Sequence, residues 1–98
     1  MQTGDNMTKA KILIVEDEVL VGLDIRENLL ALNYDIPEVV VSAESALEYL
    51  ESNSVDLVLM DIQLKGKMSG IEAAAIIHSK FVIPVISSCI KHSSPSPG

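Results

Sequence analysis

Two apolar runs of strand length, each stopping on carboxylates, constrain this chain more than anything else in it. Val55-Asp56-Leu57-Val58-Leu59-Met60-Asp61 is continuous hydrocarbon apart from Asp56 near its start, the pattern of a parallel strand buried on both faces. Lys11-Ile12-Leu13-Ile14-Val15 repeats the pattern and runs into Glu16-Asp17-Glu18. Strands buried on both sides need helices on both sides, so the chain is expected to be α/β. In open sheets of that kind ligands bind beyond the C-terminal strand ends, which makes these carboxylates, Asp61 foremost, candidate site residues. The competing reading of Asp61 is a strand-end residue that caps the following turn.

The segments between the runs supply the helices. From Val19 to about Leu32 the spacing is helical, with Val21, Ile25, Leu29 and Leu32 on one face and Val19, Leu23 and Leu30 on a second stripe nearly opposite. Asn33-Tyr34-Asp35 reads as a turn and residues 36–41 as a strand, with Pro37 near its beginning marking an edge. Ser42 is placed to N-cap a helix in which Ala43, Ala46, Leu47 and Leu50 share a face. Ser69 and Glu72 have capping-box spacing ahead of a third helix, expected to run to about Ser79, and residues 82–87 read as a fourth strand. The order βαβαβαβ implies right-handed crossovers and a parallel sheet.

Composition narrows the class. A chain of 98 residues forms one core, and with 48% hydrophobic but only 3% aromatic residues that core is aliphatic. The net charge of −7, with seven Lys and Arg, argues against nucleic acid or an anionic membrane as partner and favours cations. Cys89 is the single cysteine, so neither an internal disulfide framework nor a cysteine zinc site is expected. No apolar run reaches the roughly 18 residues of a membrane span, and the N-terminus has no secretion-signal pattern, so the expected location is cytoplasmic. Residues 1–9 read as a polar tail, 10–90 as the domain and 91–98 as a Ser/Pro-rich tail.

Consecutive βαβ units bring the first and third strands side by side with their C-terminal ends on one edge, where Glu16, Asp17 and Asp61 are expected to converge. Carboxylates brought that close repel, and a divalent cation relieves the repulsion. Mg²⁺ suits the set, because it needs few protein oxygens, keeps several waters and bridges to phosphate. The Glu16-Asp17-Glu18 run on its own also reads as favourable charge at a helix N-terminus.

The strings Ile12-Leu13-Ile14-Val15-Glu16-Asp17-Glu18, Asp56-Leu57-Val58-Leu59-Met60-Asp61-Ile62-Gln63-Leu64, Gly70-Ile71-Glu72 and Ile83-Pro84-Val85-Ile86, in that order and spacing, closely resemble the receiver domain of two-component response regulators over about residues 10–90. The resemblance implies a flavodoxin-like, doubly wound parallel sheet. It also implies that Asp61 is the phosphoacceptor for a sensor histidine kinase, that Glu16 and Asp17 are the acidic pair for Mg²⁺, and that the backbone carbonyl of Gln63 completes the protein ligands. The domain is then a signalling module rather than an enzyme.

The chain departs from that family in two ways. Receivers have five β/α units in strand order 2-1-3-4-5, whereas the pattern here gives order 2-1-3-4, without the fifth-strand Lys that contacts the phosphoryl group. The switch Thr or Ser, five positions beyond the Pro, corresponds to Cys89, with Ser87 on the same strand face. Two further functions therefore compete: an interaction or dimerisation module that has lost phosphotransfer, and a Mg²⁺-dependent phosphohydrolase, disfavoured because Gln63 stands where a second acid/base carboxylate would be. With an open fourth strand and incomplete helical cover, a homo-oligomer is expected, formed by pairing fourth strands, exchanging elements or packing first helices.

Overall fold

The structure, a computed structural model, describes residues 9–61, 64 and 68–88. Strands β1 (Lys11–Val15), β2 (Asp35–Val40), β3 (Leu57–Asp61) and β4 (Val85–Ser88) form one sheet in the order β2-β1-β3-β4, all pairs parallel. Helices α1 (Val19–Ala31), α2 (Ala43–Ser52) and α3 (Gly70–Ile76) connect them, and α3 continues as a π-helical segment, Ile77–Phe81. The doubly wound topology and strand order match the expectation. Residues 1–8 of the N-terminal tail, the C-terminal tail, Gln63 and Cys89 lie outside the described residues.

Alternation along the central strands divides the interior in two. Leu13 and Val15 of β1, with Val58 and Met60 of β3, meet Ala43, Ala46, Leu50, Ala73 and Ile77 from α2 and the third helix. Ile12 and Ile14 point the other way and pack with Ile25 of α1 and Ile36 of β2, supported by Val21, Leu29, Leu57 and Leu59. Because β1 is central, four of its five residues are buried.

The predicted caps form. Ser42 Oγ accepts from Ser45 N at 3.0 Å, and the Ser69–Glu72 capping box closes reciprocally, at 3.1 Å to Ser69 Oγ and 3.2 Å to Glu72 Oε1. Asp56, the polar residue in an apolar run, ties the N-terminal ends of two strands together: its Oδ2 accepts from Lys11 N at 2.7 Å and its own N donates to Lys11 O at 2.8 Å.

Two local expectations are corrected. Leu32 is not on the buried face of α1. It is the C-cap, 67% exposed, because the helix ends beyond the sheet it covers. The second α1 stripe, Val19, Leu23 and Leu30, is exposed. On the α1 side of the sheet lies a groove of about 240 Å³ bounded by Ala10, Ile12, Leu29, Tyr34, Leu57, Leu59 and Ile86. The third helix does not end as a plain α-helix near Ser79. Ser79 Oγ donates to Ala75 O at 2.9 Å, and a hydroxyl competing for a backbone carbonyl loosens the ladder there.

The π-helical segment terminates at Val82, whose φ of 56° lies in the left-handed region. Asn33, at φ 75°, is a residue type that tolerates this conformation, but a β-branched residue is not. Val82 is 78% exposed, so its side chain recovers little by packing. Val82→Gly is therefore expected to stabilise the fold by about 1 kcal/mol, the relief of left-handed strain exceeding the entropic cost of glycine. Urea denaturation is the check, and an unchanged or lower midpoint would contradict the strain argument.

Candidate functional site

The acidic edge is assembled by strand parity and register. In β1 the side chains of Ile12 and Ile14 face α1, and Glu16 continues that parity one residue past the strand. In β3, Leu57 and Leu59 face the same way, and Asp61 continues them. The β1–β3 register pairs Val15 with Met60, so the next step sets Glu16 beside Asp61. Asp17 follows in the turn before α1.

Glu16, Asp17 and Asp61 each offer a carboxylate oxygen within 4.8 Å of the other two. Glu16 and Asp61 are both 2% exposed, the two buried charged residues among those described, and Asp17 is half-buried. Glu16 is held at several points: its N donates to Val40 O at 2.9 Å, and its Oε2 accepts from Glu18 N at 3.2 Å. Glu18 is the N-cap of α1, so the positive end of that helix lies beside the carboxylates and offsets part of their mutual repulsion.

The donor set fits a small divalent cation. Oxygens about 2.1 Å from an octahedral centre lie roughly 3–4 Å from one another, close to the spacing of this cluster, whose oxygens lie within 4.8 Å of one another. All three donors are hard oxygens, as Mg²⁺ prefers.

Sequence reasoning missed Gly22. A Cβ built there would lie 3.0 Å from Val39 Cγ1 and 3.5 Å from Glu16 Cβ, so the glycine lets α1 approach β2 and the root of Glu16 closely. The available signal was a glycine interrupting a helical pattern, which commonly marks close packing. Gly22→Ala should forfeit the approximately 1 kcal/mol that helix propensity would give. Val39 is packed against the α1-side core and yields poorly, so a net loss of about 1 kcal/mol is expected from overpacking. Equilibrium unfolding measures the sign, and a stabilised Gly22→Ala protein would show that α1 has room.

On the other flank, the β3–β4 register pairs Asp61 with Ser88 and Met60 with Ser87. Ser87 is exposed, and strand parity sets it on the opposite face of the sheet from Asp61.

The similarities to known proteins agree with this architecture. The family described as response regulator receiver domain matches residues 12–96. The transcriptional regulatory protein PdtaR of Mycobacterium tuberculosis (strain H37Rv) is 34% identical over 82 residues, covering 84% of this chain and 40% of that protein. ResD, a transcriptional regulatory protein of Bacillus subtilis (strain 168), is 35% identical over 82 residues, covering 84% of this chain and 33% of its own. The chain thus spans about two fifths or less of these two relatives. Among solved structures, the signal receiver domain of a modulated diguanylate cyclase from Desulfovibrio desulfuricans G20 superposes with a TM-score of 0.75 at 30% identity, covering 88% of this chain and 77% of that one. The anti-anti-sigma factor PhyR of Bartonella quintana gives 0.73 at 29% identity, covering 85% and 35%. With its sequence matched over residues 12–96, its sheet in the order β2-β1-β3-β4 and three carboxylates gathered at that sheet's C-terminal edge, the chain belongs to the response regulator receiver domain family.

Proposed function

We propose that this receiver domain is a phosphoacceptor in two-component signalling, in which Asp61 takes a phosphoryl group from the phosphohistidine of a sensor histidine kinase. The observation that carries the reading is the convergence of Asp61 with Glu16 and Asp17, their oxygens within 4.8 Å, at the end of a buried strand. A carboxylate oxygen of Asp61 bonds to phosphorus as the P–N bond to the kinase imidazole breaks. The bonding pair stays on the imidazole nitrogen, which takes up a proton. Asp61 closes β3, a strand held between β1 and β4, and is itself in register with Ser88 of β4. Its burial strips the nucleophile of much of its water.

Glu16, Asp17 and Asp61, with the backbone carbonyl of Gln63, would hold the Mg²⁺. When bound, the ion neutralises the carboxylates and the incoming phosphoryl oxygens. Glu16 and Asp17 contribute by position: one is locked by backbone hydrogen bonds, and the other reaches in from the turn.

The test uses the 98-residue chain incubated with acetyl phosphate and Mg²⁺, followed by intact-mass analysis and peptide mapping. One phosphoryl adduct on the peptide that contains Asp61 is the expected result. An adduct elsewhere, or none with donor in excess, would overturn the assignment. Self-association belongs to the same proposal, supported by the apolar groove beside β4.

A further inference from the structure

We infer that the groove between α2 and α3 is a docking site for a protein segment whose apolar face is flanked by lysine or arginine, in the manner of a basic amphipathic helix. The inference stands apart from phosphoryl transfer to Asp61. The groove has a volume of about 590 Å³ and is lined by Met68, Ala75 and Ile76 together with two carboxylates, Glu44 and Glu72. Both helices that bound it belong to the described residues, and both cover the same face of the sheet.

Helical periodicity explains why this flank of α3 is available. Ala73 and Ile77 of the third helix face the sheet and are fully buried. Glu72, Ala75 and Ile76 stand at i, i+3 and i+4, on the flank turned toward Glu44 of α2. Ala75 is exposed and Ile76 is only half-buried, so apolar surface remains between the two helices.

The seam carries different charge at its two ends. At the C-terminal end of α2, Lys80 Nζ meets Glu51 Oε2 at 2.6 Å and closes the seam with an ion pair. At the other end Glu44 and Glu72 lie in the first turns of α2 and α3. The ion pairs among the described residues, Arg26–Glu27 and Lys80–Glu51, include neither of them. A helix N-terminus sets roughly half a positive charge against each full carboxylate charge, so a negative balance is left. Glu72 Oε1 accepts from Ser69 N at 3.2 Å, which fixes the side chain and leaves acceptor capacity for a second donor.

Apolar surface beside two positioned carboxylates complements an apolar side chain with a cation next to it, the pattern of a basic helix laid in a groove. A second copy of this chain fits poorly. Its exposed α1 residues Leu20 and Leu23 neighbour Asp24 and Glu27, and at a net charge of −7 two copies repel.

Fluorescence anisotropy of the 98-residue chain tests the site, in saturating Mg²⁺ to keep the probe from the Asp61 cluster. The probe is a labelled synthetic helix with leucine along one face and lysine on both flanks; control peptides carry glutamate for lysine or serine for leucine. Saturable binding of the leucine–lysine peptide alone is expected, with amide shifts in two-dimensional NMR centred on Glu44, Met68, Glu72, Ala75 and Ile76. Glu44→Gln combined with Glu72→Gln, which keeps capping-box chemistry at position 72, should weaken binding about fivefold. Asp24→Asn combined with Glu27→Gln, the same charge change on exposed α1 surface, should not. Ala75→Lys sets a cation inside the groove and should abolish binding, with circular dichroism reporting the fold.

No saturable binding up to about 1 mM peptide would overturn the proposal. Equal weakening by the α1 changes, or equal binding of the serine peptide, would mean general attraction to an acidic chain and overturn it too. Shifts at the groove amides that grow with protein concentration alone would make a second copy the occupant. Binding that requires Lys65→Ser and Lys67→Ser would make the chain's own residues 65–67 the occupant, and either result overturns the assignment to a partner.

Discussion

Asp61→Asn is expected to abolish phosphoryl incorporation from acetyl phosphate, while Asp17→Asn and Glu16→Gln reduce its rate without moving the site. The distinction follows from chemistry. An amide at position 61 keeps the shape of the buried strand end but lacks the anionic oxygen that must bond to phosphorus. Asp17 and Glu16 form no bond to phosphorus. Their removal weakens the charge arrangement around the transferring group, and loss of one preorganised electrostatic contact costs on the order of 10²–10³ in rate. Asp17→Asn should show that loss in full. Glu16→Gln should show it with an added structural penalty, because Glu16 Oε2 also accepts from Glu18 N beside the start of α1. Labelling rates from intact mass, with far-ultraviolet circular dichroism to confirm folding, separate these outcomes. If Asp61→Asn labels as the native chain does, the acceptor lies elsewhere.

Saturating Mg²⁺ should raise the unfolding free energy by about 2.7 kcal/mol once the free ion reaches about 100 times its dissociation constant. In a domain of this size that corresponds to a melting-temperature increase of roughly 10–20 °C. The gain comes from binding to a cluster that exists only in the folded chain: Glu16 and Asp17 follow β1 and Asp61 ends β3, strands more than forty residues apart in sequence that the sheet sets side by side. Asp17→Asn should remove most of the shift, and potassium chloride at equal ionic strength should not reproduce it, because general screening does not fill a coordination site. Thermal melts across a Mg²⁺ titration supply the measurement. An equal shift in the native and Asp17→Asn proteins would show that the ion binds away from this edge.

Most of the fold was legible because local signals and the global topology agree. Apolar runs of five to seven residues alternate with helical spacing, Ser42 and Ser69 sit where helices begin, and the carboxylates stand at strand ends. The right-handed crossover rule then fixes which edge those ends share, so the meeting of Glu16, Asp17 and Asp61 follows from pattern and handedness without coordinates. Asp56 and Gly22 were different. A lone acid in a strand and a glycine in a helix look like blemishes in one dimension. Their roles, bonding across to Lys11 and admitting Val39 and Glu16, depend on residues far away in sequence.

Tertiary structure decided what periodicity could not. Spacing assigns a helical residue to a face but does not say where the sheet beneath it stops, so Leu32 reads as core and is solvent-exposed. Spacing likewise gives α1 two apolar stripes, yet only Val21, Ile25 and Leu29 pack into the core, while Val19, Leu23 and Leu30 are exposed. The end of the third helix was settled by competition between Ser79 Oγ and the backbone for the Ala75 carbonyl, and by the need to turn the chain into β4 at Val82. Period and residue type determined which elements form and which chemistry they carry to the edge; the direction in which each side chain finally points was decided only when helices settled on a sheet of finite width.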